Sequence, residues 1–598
     1  MYKEGFLKVA LIAPTIKVGK PKENIKIILK EIEKQNARLL VFPELVLSGY
    51  SCGDLFYQKE LLDDALDALN QLLNKNYNKF IAIGMPLVLN SELYNVMVVV
   101  NKNKILGVIP KTTLANNSEN NESRWFKGNE LEDVLEIEVL KQKVNFGNLL
   151  FNDKDKDIKF GFEFNNNLKE VNSKGEELYL NGANLIINVS HELDYLGLDD
   201  LLKNNVLMKS YLYEGAYLHL GGNNGESTGE GVYNNLNLAY QNGRLLKELN
   251  DSFVVDLDFS EIEFLRRKEN KQKNKQNNFK VVNISFLEEE HYSFDTKIEQ
   301  LPFLSNYQFE SVRKIQLQAL KRRVEHLSNC PIVLGVSGGL DSTLALLVAY
   351  DLFKTSNLDL KQIVAVIMPS VHTSNKTLTN ARNLAKILNV TTLEIDINDE
   401  VQNQLKMINH HSKEDITYEN VQARIRTQTL MNLANKYKGI VLGTGNLSEI
   451  ALGFMTYNGD QMSMYGINSG IPKTMVQRQI KEYISLYPEL YEVLVEILNT
   501  PISPELKDNQ FTEEIVGSYL LNDFLIYRHL ACGDQKTKLE FLLNEVFEVA
   551  KNEATKLVDE FLKRFRNSQF KRQTVPEGPK VCKIALSPRD LYKMPGDV

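Results

Sequence analysis

The apolar run Ile332-Val333-Leu334-Gly335-Val336 passes without a break into Ser337-Gly338-Gly339-Leu340-Asp341-Ser342, and a helical stretch follows from near Thr343 through Leu344, Ala345, Leu346, Leu347, Val348 and Ala349. A strand, a glycine turn and a helix in that order constrain the second half of the chain to a layered α/β arrangement, with the turn at the carboxyl end of the strand. The Gly-Gly pair lets the backbone curl so that successive N–H groups face one anion, and the helix start adds its positive end. Ser337 and Ser342 offer hydroxyls to phosphate oxygens, while Asp341 can hold a metal ion or orient the loop. The motif lacks the Gly-Lys-Ser/Thr ending of the common phosphate loop, in which a lysine reaches the terminal phosphates. It reads instead as a pyrophosphate grip for ATP split between its α- and β-phosphates. A Ser/Gly turn with no ligand is the bland alternative for the hexapeptide alone, so residues elsewhere must decide.

The rest of the second half continues the pattern. Ile363 to Met368, Thr391 to Ile395 and Ile440 to Gly443 read as further parallel strands separated by helical stretches. The first half alternates strand and helix signals: Val9 to Ala13, a helix from Asn24 to Gln35, Leu39 to Pro43, a helix near Leu61 to Leu73, then Phe80 to Gly84. Val96 to Val100 and Ile105 to Ile109 follow at hairpin spacing. Mixed sheets covered by helices are expected. The polar run from Arg266 to Asn278 is rich in Lys, Asn and Gln and reads as a solvated linker or surface loop; it has no aromatic residues on which bases would stack.

With 598 residues the chain exceeds what one core supports, so two domains and a connector are expected, at 1–260, 261–305 and 306–598. A formal charge of −7 argues against duplex nucleic acid as the main ligand. The four cysteines, Cys52, Cys330, Cys532 and Cys582, are scattered without zinc or disulfide spacing, which fits a reducing cytoplasm. Met1 to Leu7 opens with no long apolar stretch and no run of about eighteen apolar residues occurs, so neither export nor a membrane span is expected.

Five further segments follow the loop in order: Tyr418-Glu419-Asn420-Val421-Gln422-Ala423-Arg424, Gly443-Thr444-Gly445-Asn446-Leu447-Ser448-Glu449, Gly453-Phe454-Met455-Thr456-Tyr457-Asn458-Gly459-Asp460, Ile471-Pro472-Lys473-Thr474, and the tail Gln569-Phe570-Lys571-Arg572 with Pro576 to Val581 and Ser587-Pro588-Arg589. This ordered set resembles the synthetase domain of NAD(+) synthetases, and the whole chain is similar to their long, glutamine-dependent members, which carry a nitrilase-like amidase domain in front. The resemblance implies an α/β fold: a nitrilase-like α-β-β-α sandwich followed by a parallel-sheet ATP-pyrophosphatase domain of the adenine nucleotide α-hydrolase type.

It also implies the chemistry. A carboxylate oxygen leaves poorly, so the nicotinate carboxylate of deamido-NAD is first joined to AMP, pyrophosphate departs into the loop, and ammonia displaces AMP. By resemblance Asp341 and Glu449 are candidate Mg2+ ligands, with Asp341, Arg424 and Lys473 the candidate catalytic group. Gly335, Ser337, Gly338, Gly339, Asp341, Ser342 and Thr444 would bind ATP. Asn420, Glu449, Gly453, Phe454, Met455, Thr456, Asp460 and Lys571 would line the deamido-NAD pocket. Taken singly, bland readings remain: Arg424 pairing with Glu419 or Asp415 on its own helix, and Glu449 capping the helix after the Gly-Thr-Gly turn.

Glutamine-dependent relatives release ammonia with a glutamate, a lysine and a nucleophilic cysteine. Glu44 and Lys111 match the first two. The cysteine of the family pattern Gly-x-Glu-x-Cys is replaced: Gly161-Phe162-Glu163-Phe164 runs into Asn165. A carboxamide is no nucleophile at neutral pH, so the thioester route is closed. Aromatic residues of the family's Leu-Pro-Asn-Tyr-x-Glu-Phe-Tyr-Glu are missing from Leu114 to Glu122, and His191-Glu192 stands where a proline follows Asn188-Val189-Ser190. Cys52, eight positions after Glu44, is a weak substitute because a reactive thiol needs a prepared electropositive niche. The expectation is therefore free ammonia as nitrogen source, no intrinsic glutaminase, and Glu44 and Lys111 as remnants, kept as a buried pair that supports packing. Homo-oligomerisation is expected, and the rivals are ammonia from a separate docking glutaminase or a non-catalytic nucleotide-binding scaffold.

Overall fold

Strands buried at every position need cover on both faces, and the first half supplies two sheets built around such strands. The structure, a computed structural model, describes residues 1–116, 121–128, 134–164, 168–229, 231–269, 279–370, 373–412, 415–501, 517–589 and 591–597. Contacts divide it into two compact units, Met1–Ile298 and Glu299–Val598.

In the first unit, strand Phe6–Leu11 is buried throughout and pairs in parallel with Leu39–Val41, which pairs in parallel with Phe80–Leu89. The hairpin Glu92–Asn101 and Lys104–Pro110 extends this nine-stranded sheet, as its spacing predicts. A seven-stranded sheet is built around the parallel strands Ile158–Phe164, Leu185–Val189 and Ala216–Leu220. Leu7, Val9, Met97 and Val99 of one sheet share a core with Phe160, Phe162, Ile187 and Leu218 of the other. Helices Pro21–Lys34 and Lys59–Asn74 cover the outer face of the first sheet, and Lys174–Leu180 and Leu198–Leu212 that of the second. This is the expected α-β-β-α sandwich. Gly84 is required there: a Cβ would lie 2.4 Å from both Pro43 O and Leu45 N, so its absence lets the Glu44 turn lie directly on the neighbouring strand.

One expectation fails. Arg266 does not belong to a solvated linker but to helix Phe259–Glu269, and its guanidinium donates to the carbonyls of Glu214, Ala183 and Tyr213 at 2.7, 2.8 and 2.8 Å. A guanidinium that satisfies several carbonyls at once is tied down more firmly than composition suggests. Residues 270–278 of that run lie outside the described residues.

The second unit holds a five-stranded parallel sheet ordered Thr391–Glu394, Ile363–Ile367, Ile332–Gly335, Ile440–Gly443, Tyr465–Gly466. The chain winds outward from Ile332–Gly335 in one direction and then restarts beside it at Ile440–Gly443, so the order reverses between these neighbours. A crevice opens at the carboxyl ends of strands at such a point. Both glycine turns sit there. The helix after the first strand is Leu340–Thr355, starting three residues earlier than expected from Thr343. Gly339 is its extended N-cap, and Gly338 has φ +82°, with Thr377 O only 2.1 Å from where a Cβ would sit. Only glycine fits there, and the helix can therefore begin at once. Among the described residues no helix is long and apolar enough to cross a membrane.

Candidate active site

The turn after strand Ile332–Gly335 is held by its own hydroxyls. Ser337 N donates to Ser342 Oγ at 3.2 Å, the two serine oxygens lie 3.1 Å apart, and Gly339 N donates to Ser337 Oγ at 3.2 Å. Ser337 is exposed and Gly338 buried, so the turn presents Ser337 to solvent over a fixed base. Gly335, Ser337, Ser342 and Thr444 line a cavity of about 260 Å3 together with Met368 and Arg426. Four of the sequence-predicted ATP residues thus border one space, with Gly338 and Gly339 in its loop.

Asp341 stands in the first turn of the helix, with Asn446 Nδ2 donating to Oδ1 at 2.9 Å and the Lys473 ammonium pairing with Oδ2. Glu449 Oε1 lies 3.5 Å from the same ammonium. Lys473 is 2% exposed, whereas Asp341 and Glu449 keep 17% and 20%, so the carboxylates face outward and the lysine lies behind them. Removal from bulk water and the neighbouring Asp341 charge push the Glu449 carboxyl up to about 8. Burial alone would lower Lys473, but the charges of Asp341 and Glu449 outweigh it and raise its pKa. Two partly exposed carboxylates served by one ammonium, beside a phosphate-type loop, are a donor set that fits Mg2+, which takes few protein carboxylates and completes its shell with water and phosphate. Among the described residues no group of three or more His, Cys, Asp or Glu forms a denser metal cage.

The remaining predicted residues fall into place unevenly. Thr456 Oγ1 donates to Asn420 Oδ1 at 2.8 Å and Thr456 N to Asp460 Oδ1 at 2.7 Å, while Asp460 also borders the cavity. Phe454 N donates to Glu449 O at 3.0 Å, and Lys571 Nζ donates to Gly453 O and Met455 O at 2.8 and 2.7 Å. Lys571 thus ties the tail to the Gly453–Met455 turn. Gly453, with φ +63°, ends helix Leu447–Leu452. Arg424 is exposed, and its Nε donates to Tyr457 O at 3.3 Å rather than pairing with Glu419 or Asp415; Asp415 caps the helix Ile416–Tyr437 instead. It is Arg426, two residues on, that reaches the cavity.

Several residues escaped the sequence reading. Asn446 both caps helix Leu447–Leu452, accepting from Glu449 N at 3.0 Å, and holds Asp341, so one carboxamide links the two candidate metal ligands. An Asn three positions before a Glu at a helix start is a capping signal that was legible. Buried Asn468 donates to Asp341 O at 2.9 Å and Thr444 O at 3.2 Å, clamping the two turns together; only the fold reveals it.

The first unit carries a second lysine between two carboxylates. Lys111 Nζ lies 2.7 Å from Glu44 Oε1 and 2.7 Å from Glu122 Oε1, and all three side chains are buried. Asn95 Nδ2 donates to Glu44 Oε1 at 2.6 Å, Tyr50 OH to Glu122 Oε1 at 2.6 Å, and Ala115 N to Glu122 Oε2 at 2.6 Å. Burial raises the Glu44 carboxyl against the pull of Lys111. Glu122, in the altered Leu114 to Glu122 segment, was not singled out, yet it completes the pair the sequence expects. Tyr50, Trp125, Phe126 and Tyr233 line an adjacent cavity of about 340 Å3, so aromatic walls persist around it. His191 is stacked on Tyr50 at 4.7 Å between ring centres. Cys52 is buried, its thiol donating to Ser48 O at 3.1 Å, and desolvation pushes its pKa up to about 12, which is the opposite of an activated nucleophile. Asn165 lies outside the described residues.

Residues 312–575 match the family model described as NAD synthase, and residues 8–197 that described as carbon-nitrogen hydrolase. The chain is 32% identical over 661 aligned positions to the glutamine-dependent NAD(+) synthetase of Mycobacterium bovis, covering 100% of this chain and 97% of that one. The enzyme of the same name from Mycobacterium leprae is 31% identical, with 100% and 97% covered, and that from Thermotoga maritima 28%, with 93% and 92%.

Proposed function

Because the chain belongs to the family of glutamine-dependent NAD(+) synthetases, we propose that it amidates the nicotinate carboxylate of deamido-NAD to give NAD(+), with free ammonia as the nitrogen donor. The observation that carries the synthetase reading is the Lys473 ammonium set behind the outward-facing Asp341 and Glu449, beside the serine-glycine turn. The carboxylate oxygen attacks the α-phosphorus of ATP and the bond to the β-phosphate oxygen breaks, releasing pyrophosphate. Ammonia then adds to the carbonyl carbon, AMP leaves with the bonding pair, and the surplus proton goes to water.

In this reading Ser337, Gly338, Gly339 and Ser342 receive the departing pyrophosphate, the adenosine occupies the cavity lined by Gly335, Met368 and Thr444, and Lys473 neutralises charge as it builds up. Magnesium, when held by Asp341 and Glu449, supplies further charge neutralisation at the phosphates. Asn420, Thr456 and Asp460 form the wall that meets deamido-NAD, with Lys571 fixing the turn Gly453, Phe454 and Met455 beside it. Arg424, exposed at the edge, meets the polyanion from solvent.

Free ammonia is supported by Asn165 at the nucleophile's place and by the inert state of Cys52. The relatives' name runs the other way, so the experiment must separate the donors. Pure protein is given deamido-NAD and Mg-ATP with either ammonium or glutamine as donor, and NAD(+) is measured. NAD(+) from ammonium alone is expected; formation from glutamine at a comparable rate overturns the ammonia reading, and no NAD(+) from either overturns the synthetase reading.

A further inference from the structure

The helix that begins at Lys473 has a defect at its start. Helices leave their first N–H groups without internal partners, and a side chain at the N-cap ordinarily takes one of them. Here the N-cap is Pro472, which has no side-chain acceptor. The structure fills the gap from outside. Lys473 N donates to Ser448 Oγ at 2.9 Å, and Thr474 N and Thr474 Oγ1 donate to Asp523 Oδ2 at 2.9 and 2.7 Å. Ser448 Oγ in turn donates to Asp523 Oδ1.

We propose that Asp523, on helix Tyr519–Ala531, is a positioning residue for the synthetase reaction: its carboxylate caps the helix that carries Lys473 and locks it to the helix that carries Glu449. Ser448 is the residue before Glu449, and Thr474 the residue after Lys473. The two oxygens of one carboxylate therefore set the spacing between a candidate ligand and the ammonium that faces it. Asp523 is 1% exposed and bonds to Ser448 and Thr474, the neighbours in sequence of Glu449 and Lys473. A negative charge at a helix N-terminus is favourable in its own right, which holds the first turn and Lys473 with it. One turn back on the same helix, Tyr519 places its ring 5.3 Å from Lys473 Nζ, so two side chains of one helix face seat this lysine. The idea rests on Lys473 and Glu449 acting in the synthetase reaction.

The test replaces Asp523 with Asn, which keeps the shape but turns one acceptor into a donor facing N–H and O–H donors. Ser448→Ala, which removes the hydroxyl linking Lys473 N to Asp523, and Thr474→Val, which removes the Oγ1 bond but keeps the N–H bond, change volume little and guard against a D523N protein that does not fold. Steady-state kinetics with ammonium, deamido-NAD and Mg-ATP are run beside thermal unfolding. The expected result is a kcat lowered about 10- to 100-fold by D523N, with KM for ATP changed less than about threefold, since a displaced lysine weakens interactions made as charge develops. Smaller kcat losses in the same pattern are expected for the other two. If all folded variants keep the wild-type kcat, or if KM for ATP rises while kcat stands, the assignment is wrong. Wild-type turnover in the same series separates the layers: an inactive wild type overturns the proposed reaction, whereas an active wild type with unaffected variants overturns Asp523 alone.

Discussion

Each unit of this chain sets one lysine between two acidic side chains, yet the two clusters differ in what they can reach. Around Lys111, Glu44 and Glu122 are 0% and 3% exposed and bonded by Asn95, Tyr50 and a backbone amide, with Glu122 bordering the aromatic-lined cavity. Around Lys473, Asp341 and Glu449 keep 17% and 20% exposure and stand beside a turn that exposes Ser337. The charge pattern by itself thus does not identify working chemistry. Under the proposed function, removing the buried cluster is expected to be felt in folding and removing the more exposed one in turnover.

The sharpest break of this comparison comes from Asp341→Ala. Losing one of two outward carboxylates together with the partner of Lys473 is expected to lower AMP and pyrophosphate formation about 10³-fold. Release of both products at the wild-type rate would move the reaction away from this cluster. The matched lysine deletions come next. Lys473→Ala is expected to reduce ammonium-supported turnover about 10²-fold. Lys111→Ala leaves two buried carboxylates without their cation and is expected to destabilise the first unit by about 3 to 5 kcal/mol. The sole tryptophan, Trp125, lies in that unit, so its fluorescence during urea unfolding reports the loss directly. An unchanged transition in Lys111→Ala would mean that the cluster contributes nothing to folding.

Placing a thiol at position 165 asks whether the Lys111 cluster can support glutamine use. Asn165→Cys is expected to leave glutamine-supported NAD(+) formation below about 1% of the ammonium-supported rate, since a nucleophile also needs a pocket that places the amide carbonyl against it. Glu44, Lys111 and Glu122 are already assembled, so the altered Leu114 to Glu122 segment and His191 carry that expectation. Robust rescue would show that only the sulfur was missing.

How much of this was legible beforehand depended on whether a feature is local in sequence. The parallel strands Ile332–Gly335, Ile363–Ile367 and Ile440–Gly443 are short apolar runs bounded by glycine or polar turns, and they appear where the pattern places them. The loop serines, Asp341, Glu449 and Lys473 came from ordered motifs, and the fold brings them together. What could not be read were partnerships across long stretches of chain. Nothing in the segment around Asp523 announces that it caps the helix of Lys473, and Pro472 hides the fault it repairs. The motif points to Arg424, which is exposed, and only the fold shows that Arg426, two residues on, borders the cavity. His191 was visible as a departure, but its stacking on Tyr50 needed coordinates.

The smallest expected effect is on stability against pH, and there one carboxyl of each unit shifts in opposite directions. In the first, burial would raise the Glu226 carboxyl, but the bonds from His191, Ser51 and the Tyr50 amide win and hold it down at about 2. Its folded pKa lies below the ordinary 4.5, so the unfolded chain binds the proton more readily; the stabilisation is present above pH 4.5 and is lost as pH falls from there through 2. In the second unit Glu449 lies at about 8, above 4.5, so the folded state keeps the proton longer and stability declines as pH rises from 4.5 through 8. Glu226→Gln should therefore remove part of the acid-side loss seen by Trp125 fluorescence, and Glu449→Gln should flatten part of the neutral-side decline seen by circular dichroism. Should Glu449→Gln decline with pH as steeply as the wild type, the carboxyl is not held protonated in the folded state.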